Sequence, residues 1–134
     1  MQWDSGTNAG FSKGSPWLPV ETGYQRYNFE SEKEDSASIY SWYAKLLKLR
    51  HENPAFRDGS YVPLDSGNPN VFAFARNAGA NEAALVILNT SPQEQHVRLS
   101  ATRFRNVLMA SPPASAPPSE SFTIAPYGVL IASS

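Results

Sequence analysis

The feature that most constrains the fold is a series of seven short apolar segments in the second half of the chain. In order, they are GSYVPL, VFAFAR, AALVILN, QHVRLS, RNVLMA, SFTIA and GVLIAS, all between Gly59 and Ser134. Turn-forming stretches such as SGNPN (66–70) and NAGAN (77–81) separate them. Short strands punctuated in this way are typical of two packed antiparallel sheets. The sequence therefore predicts a mainly β fold, an antiparallel β-sandwich with Greek-key connections, over residues 59–134.

The side-chain pattern within these segments indicates how the strands are placed. In QHVRLS, His96 and Arg98 alternate with Val97 and Leu99, which predicts a strand with one solvated face. AALVILN is apolar at almost every position, which predicts a central strand covered on both faces. The Pro-rich stretch PPASAPPS, residues 112–119, predicts a mobile surface connection.

One amphipathic helix is predicted over SIYSWYAKLLKLRHENP, residues 38–54. At about 100° per residue, its apolar side chains share one wide stripe, made of Ile39, Trp42, Tyr43, Leu46, Leu47 and Leu49. A stripe of this width implies burial against a large partner surface. Asp35, Ser36 and Ser38 are the candidate N-caps, and Asn53–Pro54 is the stop signal.

Arg50 interrupts this stripe, because it lies about 20° from Ile39 around the helix. Two explanations stay open: the side chain extends to solvent at the helix end, or it pairs with a carboxylate behind the helix. The acidic run ESEKED, residues 30–35, precedes the helix. For this run we predict a solvated loop.

The first 35 residues show neither a helical nor a strand period, yet they are dense in aromatic side chains: Trp3, Phe11, Trp17, Tyr24, Tyr27 and Phe29. Aromatic residues in an irregular segment need a surface to pack on, so the segment suggests part of a larger protein. Two interpretations stay open. The rings pin a long loop onto a hydrophobic scaffold, or they stack on sugar rings while Gln2, Asp4 and Asn8 bracket hydroxyl groups.

Composition and motif spacing exclude several classes of function. A net charge of -1 provides no electrostatic footprint for nucleic acid or an anionic membrane. The absence of cysteine removes thiol catalysis and zinc–thiolate sites. His51 and His96 are not spaced like the ligands of a metal ion. The chain also contains no Gly-x-Ser-x-Gly motif, which would supply a nucleophilic serine for a catalytic histidine. We therefore expect no metal, no cofactor and no catalytic residue in this chain, and no partner that is a nucleic acid or a membrane. No signal-peptide pattern is evident, which favours a cytoplasmic location.

Three stretches together carry a family resemblance. The motifs MQWD, NAGF and PWLPV open the chain, KLLKLRHENPAFRDGSY follows in the helix region, and APYGVLIASS closes the chain. They resemble the C-terminal third of α-glucosidases in glycoside hydrolase family 13, in the oligo-1,6-glucosidase, maltase and trehalose-synthase branch. The resemblance spans essentially all 134 residues and is most specific over the first 61.

The resemblance implies a division of the chain into two parts. Residues 1–58 would be a remnant of a catalytic (β/α)8 barrel, formed by the long loop after its eighth strand and by its last helix. Residues 59–134 would be the C-terminal β-sandwich, called domain C in that family. The family's three catalytic carboxylates lie upstream of the MQW motif, so the resemblance places none of them in this chain.

The resemblance also implies a function. The chain would be the C-terminal fragment of an enzyme that hydrolyses or transfers α-glucosidic bonds, a structural part that is inactive in isolation. Gln2, Trp3 and Asp4 would lie near the substrate in the parent enzyme. The implied partners are an α-glucan or small α-glucoside and the rest of the catalytic barrel. A homodimer through the exposed helix face is a further expectation, and a fold-back of residues 1–35 over that face is its alternative. The alternative is a β-sandwich module that binds carbohydrate or another protein.

Overall fold

A computed structural model describes residues 1–99, 103–113 and 118–134. The chain divides into two compact units, Met1–Leu49 and Arg50–Ser134. Half of the predicted Pro-rich connection, residues 114–117, lies outside the described residues. No helix in the described ranges is long and apolar enough to span a membrane.

The first unit contains helix α1 (Phe29–Glu34) and most of helix α2 (Ile39–Glu52). Helix α1 corrects the loop predicted for ESEKED. The Asn28 side chain accepts a hydrogen bond from the Ser31 backbone N–H over 3.0 Å, and this N-cap stabilises the first turn. Two acidic residues in that turn favour the helix further through the helix dipole. Most side chains of the run are exposed, so the predicted solvation is correct.

Helix α2 begins after Ser38, the third of the candidate N-caps. The Ser38 hydroxyl accepts a hydrogen bond from the Ser41 N–H over 3.0 Å. No residue of α2 is buried, and the side chains of Ile39, Tyr43 and Leu47 are 58–77% exposed. The predicted apolar stripe is therefore present: Ile39, Tyr43 and Leu47 are exposed, and the other three side chains are half-buried, namely Trp42, Leu46 and Leu49.

The second unit begins with the last turn of α2 and helix α3 (Pro54–Asp58). Arg50 is exposed at the end of α2, as the first explanation above expects, and its Nη1 donates to the Phe56 carbonyl over 3.2 Å. The seven predicted strands all form: β1 (Ser60–Leu64), β2 (Val71–Gly79), β3 (Glu82–Asn89), β4 (Gln95–Arg98), β5 (Asn106–Ser111), β6 (Ser121–Ile124) and β7 (Val129–Ser133).

The strands form two antiparallel sheets. The five-stranded sheet has the order β1-β2-β3-β7-β5, and the two-stranded sheet pairs β4 with β6. From β3 onward, successive strands alternate between the sheets, so neighbours within each sheet come from distant parts of the sequence. β3 lies at the centre of the larger sheet, as its apolar sequence predicts.

The core of the sandwich lies between the sheets. Leu85, Ile87 and Val97 are fully buried, and they share one hydrophobic cluster with Ile124 and Leu130 from the other strands. In β4, Val97 is buried while His96 and Arg98 are exposed, so the predicted alternation is correct. The rule that successive side chains of a strand point to opposite faces accounts for this pattern.

Candidate functional site

The N-terminal segment is built around a tight turn at Asn8–Gly10. All three residues have left-handed backbone angles, with φ of 56°, 55° and 66°. The Asn8 side-chain amide holds the turn by donating to the carbonyl oxygens of Ser12 (3.0 Å) and Gly14 (2.8 Å). Left-handed angles are unfavourable for residues with a side chain. The turn therefore depends on the hydrogen bonds that surround it.

Asp4 is part of the same turn. Its Oδ1 accepts a hydrogen bond from the Gly6 N–H over 2.8 Å, and its carboxylate lies against Gly10, where a Cβ atom would overlap it. The carboxylate that the sequence suggested for bracketing hydroxyl groups is thus engaged with its own loop. Its role in this chain is to shape the turn.

Gln2 and Trp3 connect the segment to the helices of the first unit. Their carbonyl oxygens accept hydrogen bonds from the N–H groups of Phe29 (2.9 Å) and Glu30 (3.0 Å), in the first turn of α1. The Trp3 ring lies edge-on to Phe29 at 5.9 Å, and Phe29 lies edge-on to Tyr40 at 5.0 Å. For these rings, the structure favours the interpretation in which aromatic residues pin the loop onto a scaffold.

Beside this turn, the segment forms a cavity of about 630 Å³ that is open to solvent. Residues 1–2, 8–9, 11–12 and 15–21 line it. Phe11 and Trp17 supply aromatic surface and are 69% and 91% exposed, while Gln2, Asn8 and Glu21 supply polar groups. Sites for small molecules combine a concave apolar surface with a few polar groups in this way, within the size range of this cavity. The arrangement suits a small sugar, whose C–H faces pack on rings and whose hydroxyl groups need hydrogen-bonding partners.

Of the three predicted substrate-adjacent residues, only Gln2 lines this cavity. Trp3 and Asp4 lie outside the lining, and their substrate contacts in a parent enzyme stay a prediction. The cavity instead uses Phe11 and Trp17, which the sequence presented only as members of a dense aromatic set. Their irregular spacing carries no signal that distinguishes a ring lining a cavity from a ring packing on a helix.

The remaining chemistry-bearing residues do not extend the site. His96 Nε2 lies 2.9 Å from the Ser121 hydroxyl on the exposed side of the two-stranded sheet. Within residues 1–99, 103–113 and 118–134, no three His, Cys, Asp or Glu side chains cluster in a way that could hold a metal ion. The cavity in the N-terminal segment is therefore the candidate site.

Comparison with known proteins divides the chain at the junction of α3 and β1. Residues 1–59 match the family model described as the alpha amylase catalytic domain. Residues 61–131 match the model described as the maltogenic amylase C-terminal domain. The boundary between the two models thus coincides with the step from helices to strands in the structure.

Curated relatives and solved structures agree with these matches. The chain is 36% identical to oligo-1,6-glucosidase of Parageobacillus thermoglucosidasius over 74% of its own length and 17% of the relative. It is 41% identical to Maltase 1 of Drosophila virilis over 75% of its length and 16% of the relative. The trehalulose synthase MutB of Pseudomonas mesoacidophila MX-45 superposes with a TM-score of 0.82 and 33% identity, covering 98% of this chain and 24% of MutB. A MutB mutant has been solved in complex with the substrate sucrose.

These coverages show how much of each relative is represented. The chain spans about one sixth of the length of the curated relatives above and about a quarter of the solved structure. Nearly all of this chain, however, has a structural counterpart in MutB.

Proposed function

Because the chain belongs to the α-amylase family of glycoside hydrolases, family 13, we propose that it serves as the C-terminal part of an α-glucosidase. In this role it completes and supports a catalytic domain and contributes no catalytic carboxylate. The observation that carries the proposal is the coincidence at residues 59–61, where the catalytic-domain match ends at α3 and the C-terminal match begins at β1.

The carboxylates of the candidate site support a non-catalytic role. A retaining glycosidase needs two carboxyl groups about 5–5.5 Å apart, on opposite sides of the scissile bond. Glu21 is the acidic residue that lines the cavity, while Asp4, nearby in sequence, accepts a hydrogen bond from Gly6 within its own turn. In our proposal, the catalytic pair comes from the larger part of the enzyme that this chain does not span.

The exposed stripe of α2 supports a protein partner. Ile39, Tyr43 and Leu47 place large apolar side chains in solvent along one side of the helix. Burying apolar area contributes about 25 cal/mol per Å² removed from water, so such a stripe favours association. We propose that the rest of the catalytic domain covers it. The names of the relatives point to α-glucosides as the substrates of the assembled enzyme.

A complementation assay tests this proposal. The chain alone is assayed with maltose, isomaltose and an aryl α-glucoside, and we expect no turnover. It is then mixed with a fragment of the Parageobacillus oligo-1,6-glucosidase that ends before the segment this chain matches. We expect the mixture to hydrolyse the aryl glucoside when neither component does so alone. Turnover by the isolated chain that disappears in Glu21→Gln would contradict the proposal.

A second candidate function is carbohydrate binding without catalysis, and the cavity lined by Phe11 and Trp17 favours it. Titration with maltose or isomaltose, followed by tryptophan fluorescence, tests it directly. If the cavity binds sugar, a saturable change is expected in the wild type and in Trp42→Phe, whose altered ring lies outside the cavity lining. The same change should be lost in Trp17→Ala. If the tryptophan fluorescence of the wild type does not change with sugar concentration, carbohydrate binding by this cavity is excluded.

A further inference from the structure

One end of the sandwich is formed by three neighbouring connections. They are residues 65–70 between β1 and β2, residues 90–94 between β3 and β4, and residues 125–128 between β6 and β7. The strand register brings them together, because the start of β2 pairs with the end of β3, and the end of β3 pairs with the start of β7. We call these connections the distal loops, because α3 is bonded near the opposite end of β2, through Arg76.

Hydrogen bonds hold the distal loops in one arrangement. The N–H and the hydroxyl of Thr90 both donate to the Asn70 carbonyl, over 2.9 and 3.1 Å. The Tyr127 N–H donates to the Ser91 carbonyl over 3.0 Å. The middle connection is thereby bonded to both of the others. A ligand at this end would meet groups that are already in position, which lowers the entropic cost of binding.

Tyr127 presents its ring to solvent from a strained backbone. The residue is 66% exposed, and its φ of +51° lies in the left-handed region. Gly and Asn adopt this region with less strain than a residue with a large side chain. Strained backbone of this kind is concentrated at functional sites. A large ring that its backbone disfavours and that the core does not bury therefore points to an external partner.

The other distal loops supply polar side chains near this ring. Thr90 precedes Ser91, to which Tyr127 is bonded, and Asn70 is bonded to Thr90. In the described part of the chain, Asn70 and Gln93 make their hydrogen bonds through backbone atoms. Both residues are exposed, so their side-chain amides are available to a ligand. An amide group both donates and accepts hydrogen bonds, as the hydroxyl groups of a sugar do.

We propose that the distal loops bind a glucose unit of an α-glucan. The Tyr127 ring packs against the C–H face of the sugar, and the amides of Asn70 and Gln93 face its hydroxyl groups. The choice of an α-glucan rests on the function proposed above, whereas the site itself rests on the geometry of the loops. It shares no residue with the cavity of the N-terminal segment.

The charges of the distal loops favour a neutral ligand. Asp65 and Glu94 are the charged residues of these loops, and both are acidic and exposed. They would repel a phosphate or another anion. The centre of a protein interface is mainly apolar. One ring bordered by hydroxyl and amide groups instead matches the mixture of apolar surface and polar groups that binds a small neutral molecule.

Affinity electrophoresis of the full chain through gels that contain soluble starch tests this site, with a starch-free gel as the reference. We expect starch to retard the wild type. Tyr127→Asn removes the ring and keeps a residue that tolerates the left-handed backbone. It should bind at least about tenfold more weakly, as for other aromatic anchors, and melt no lower than the wild type. Tyr127→Phe keeps the ring and should keep most of the retardation. Tyr127→Gly replaces Tyr127→Asn if the latter does not fold.

Trp17→Ala is the control for the cavity of the N-terminal segment, and starch should retard it like the wild type. Equal retardation of Tyr127→Asn and the wild type overturns the distal-loop site, as does a wild type that starch does not retard. If Trp17→Ala alone loses the retardation, the sugar binds in the cavity and this inference is wrong. The complementation assay with the aryl glucoside judges the proposed function separately, because Tyr127→Asn should complement like the wild type. Failure of either experiment therefore leaves the result of the other standing.

Discussion

The side chain of Asn89, buried at the end of β3, donates a hydrogen bond to the carbonyl oxygen of Ala125 over 2.8 Å. The same amide donates to the Gln93 carbonyl over 2.7 Å, and its oxygen accepts from the Ser91 N–H over 2.9 Å. One side chain thereby connects the exit from β3 with the segment between β6 and β7. These two segments lie more than thirty residues apart in sequence.

We expect Asn89→Ala to lower the free energy of unfolding of the sandwich by about 3 kcal/mol. The substitution leaves buried carbonyl and N–H groups without partners, and each such group costs about 1–3 kcal/mol. Urea unfolding followed by circular dichroism measures the change. Asn81→Ala, at the exposed turn between β2 and β3, is the control and should unfold like the wild type. Similar midpoints for both variants would show that Asn89 is not a structural junction.

Gly10→Ala should destabilise the N-terminal unit by about 2 kcal/mol. Gly10 has φ of +66°, where an L side chain is strained by about 1–2 kcal/mol, and its new Cβ would overlap the Asp4 carboxylate. Gly14→Ala is a matched control, because its Cβ would meet only the Ser12 hydroxyl, at an ordinary 3.8 Å. Thermal melting followed by tryptophan fluorescence distinguishes the two. Equal melting temperatures would contradict the role assigned to the turn.

Ser38→Ala should destabilise the same unit by about 1 kcal/mol, the usual cost of losing an N-cap. The Ser38 hydroxyl accepts from the Ser41 N–H and also donates to the Glu32 carbonyl over 2.6 Å, so it joins α1 to α2. Ser36→Ala changes an exposed hydroxyl two residues earlier and should leave the melting temperature unchanged. If Ser36→Ala lowers the melting temperature more than Ser38→Ala does, the assignment of the N-cap to Ser38 is wrong.

The exposed stripe of α2 predicts self-association of the isolated chain. Exposed apolar patches favour contacts with another molecule, and a second copy is the partner always present. Sedimentation velocity should detect dimers or larger species of the wild type, and Leu47→Glu should shift the population toward monomer. Ala44→Glu adds the same charge about 140° around the helix from Ile39 and should leave association unchanged. A wild-type monomer at all concentrations tested would remove the dimer prediction.

At the MQWD motif, the sequence does not distinguish a residue that lines the cavity from a residue that shapes the turn. Gln2 was expected near a substrate and lines the cavity, whereas Asp4 accepts a hydrogen bond from Gly6 and lies against Gly10. Nothing in the letters MQWD distinguishes these roles, because an Asp can face a ligand or its own loop with equal chemistry. The left-handed turn that brings Gly10 against Asp4 gives this carboxylate a contact in its own loop, and a substrate contact of Asp4 in a parent enzyme stays a prediction.

The division of the chain at residue 58 stays a prediction. The structure's compact units meet between Leu49 and Arg50, within α2, while the two family models meet at 59–61. A helix that runs through a boundary obscures it, because its own hydrogen bonds connect residues of both sides.

The sequence by itself determined the local structure of the strands and of α2, and it missed the short helices α1 and α3. Side-chain alternation and turn residues located all seven strands, and the 3.6-residue period located α2, because both signals depend on neighbours in the chain. Tertiary structure alone decided the strand order, in which β7 lies between β3 and β5 while β4 pairs with β6. The period of a strand specifies which face its side chains occupy and leaves the choice of partner strand to long-range packing. The contact between the Tyr61 and Phe74 rings also depends on that choice, because the pairing of β1 with β2 is what brings the two side chains together.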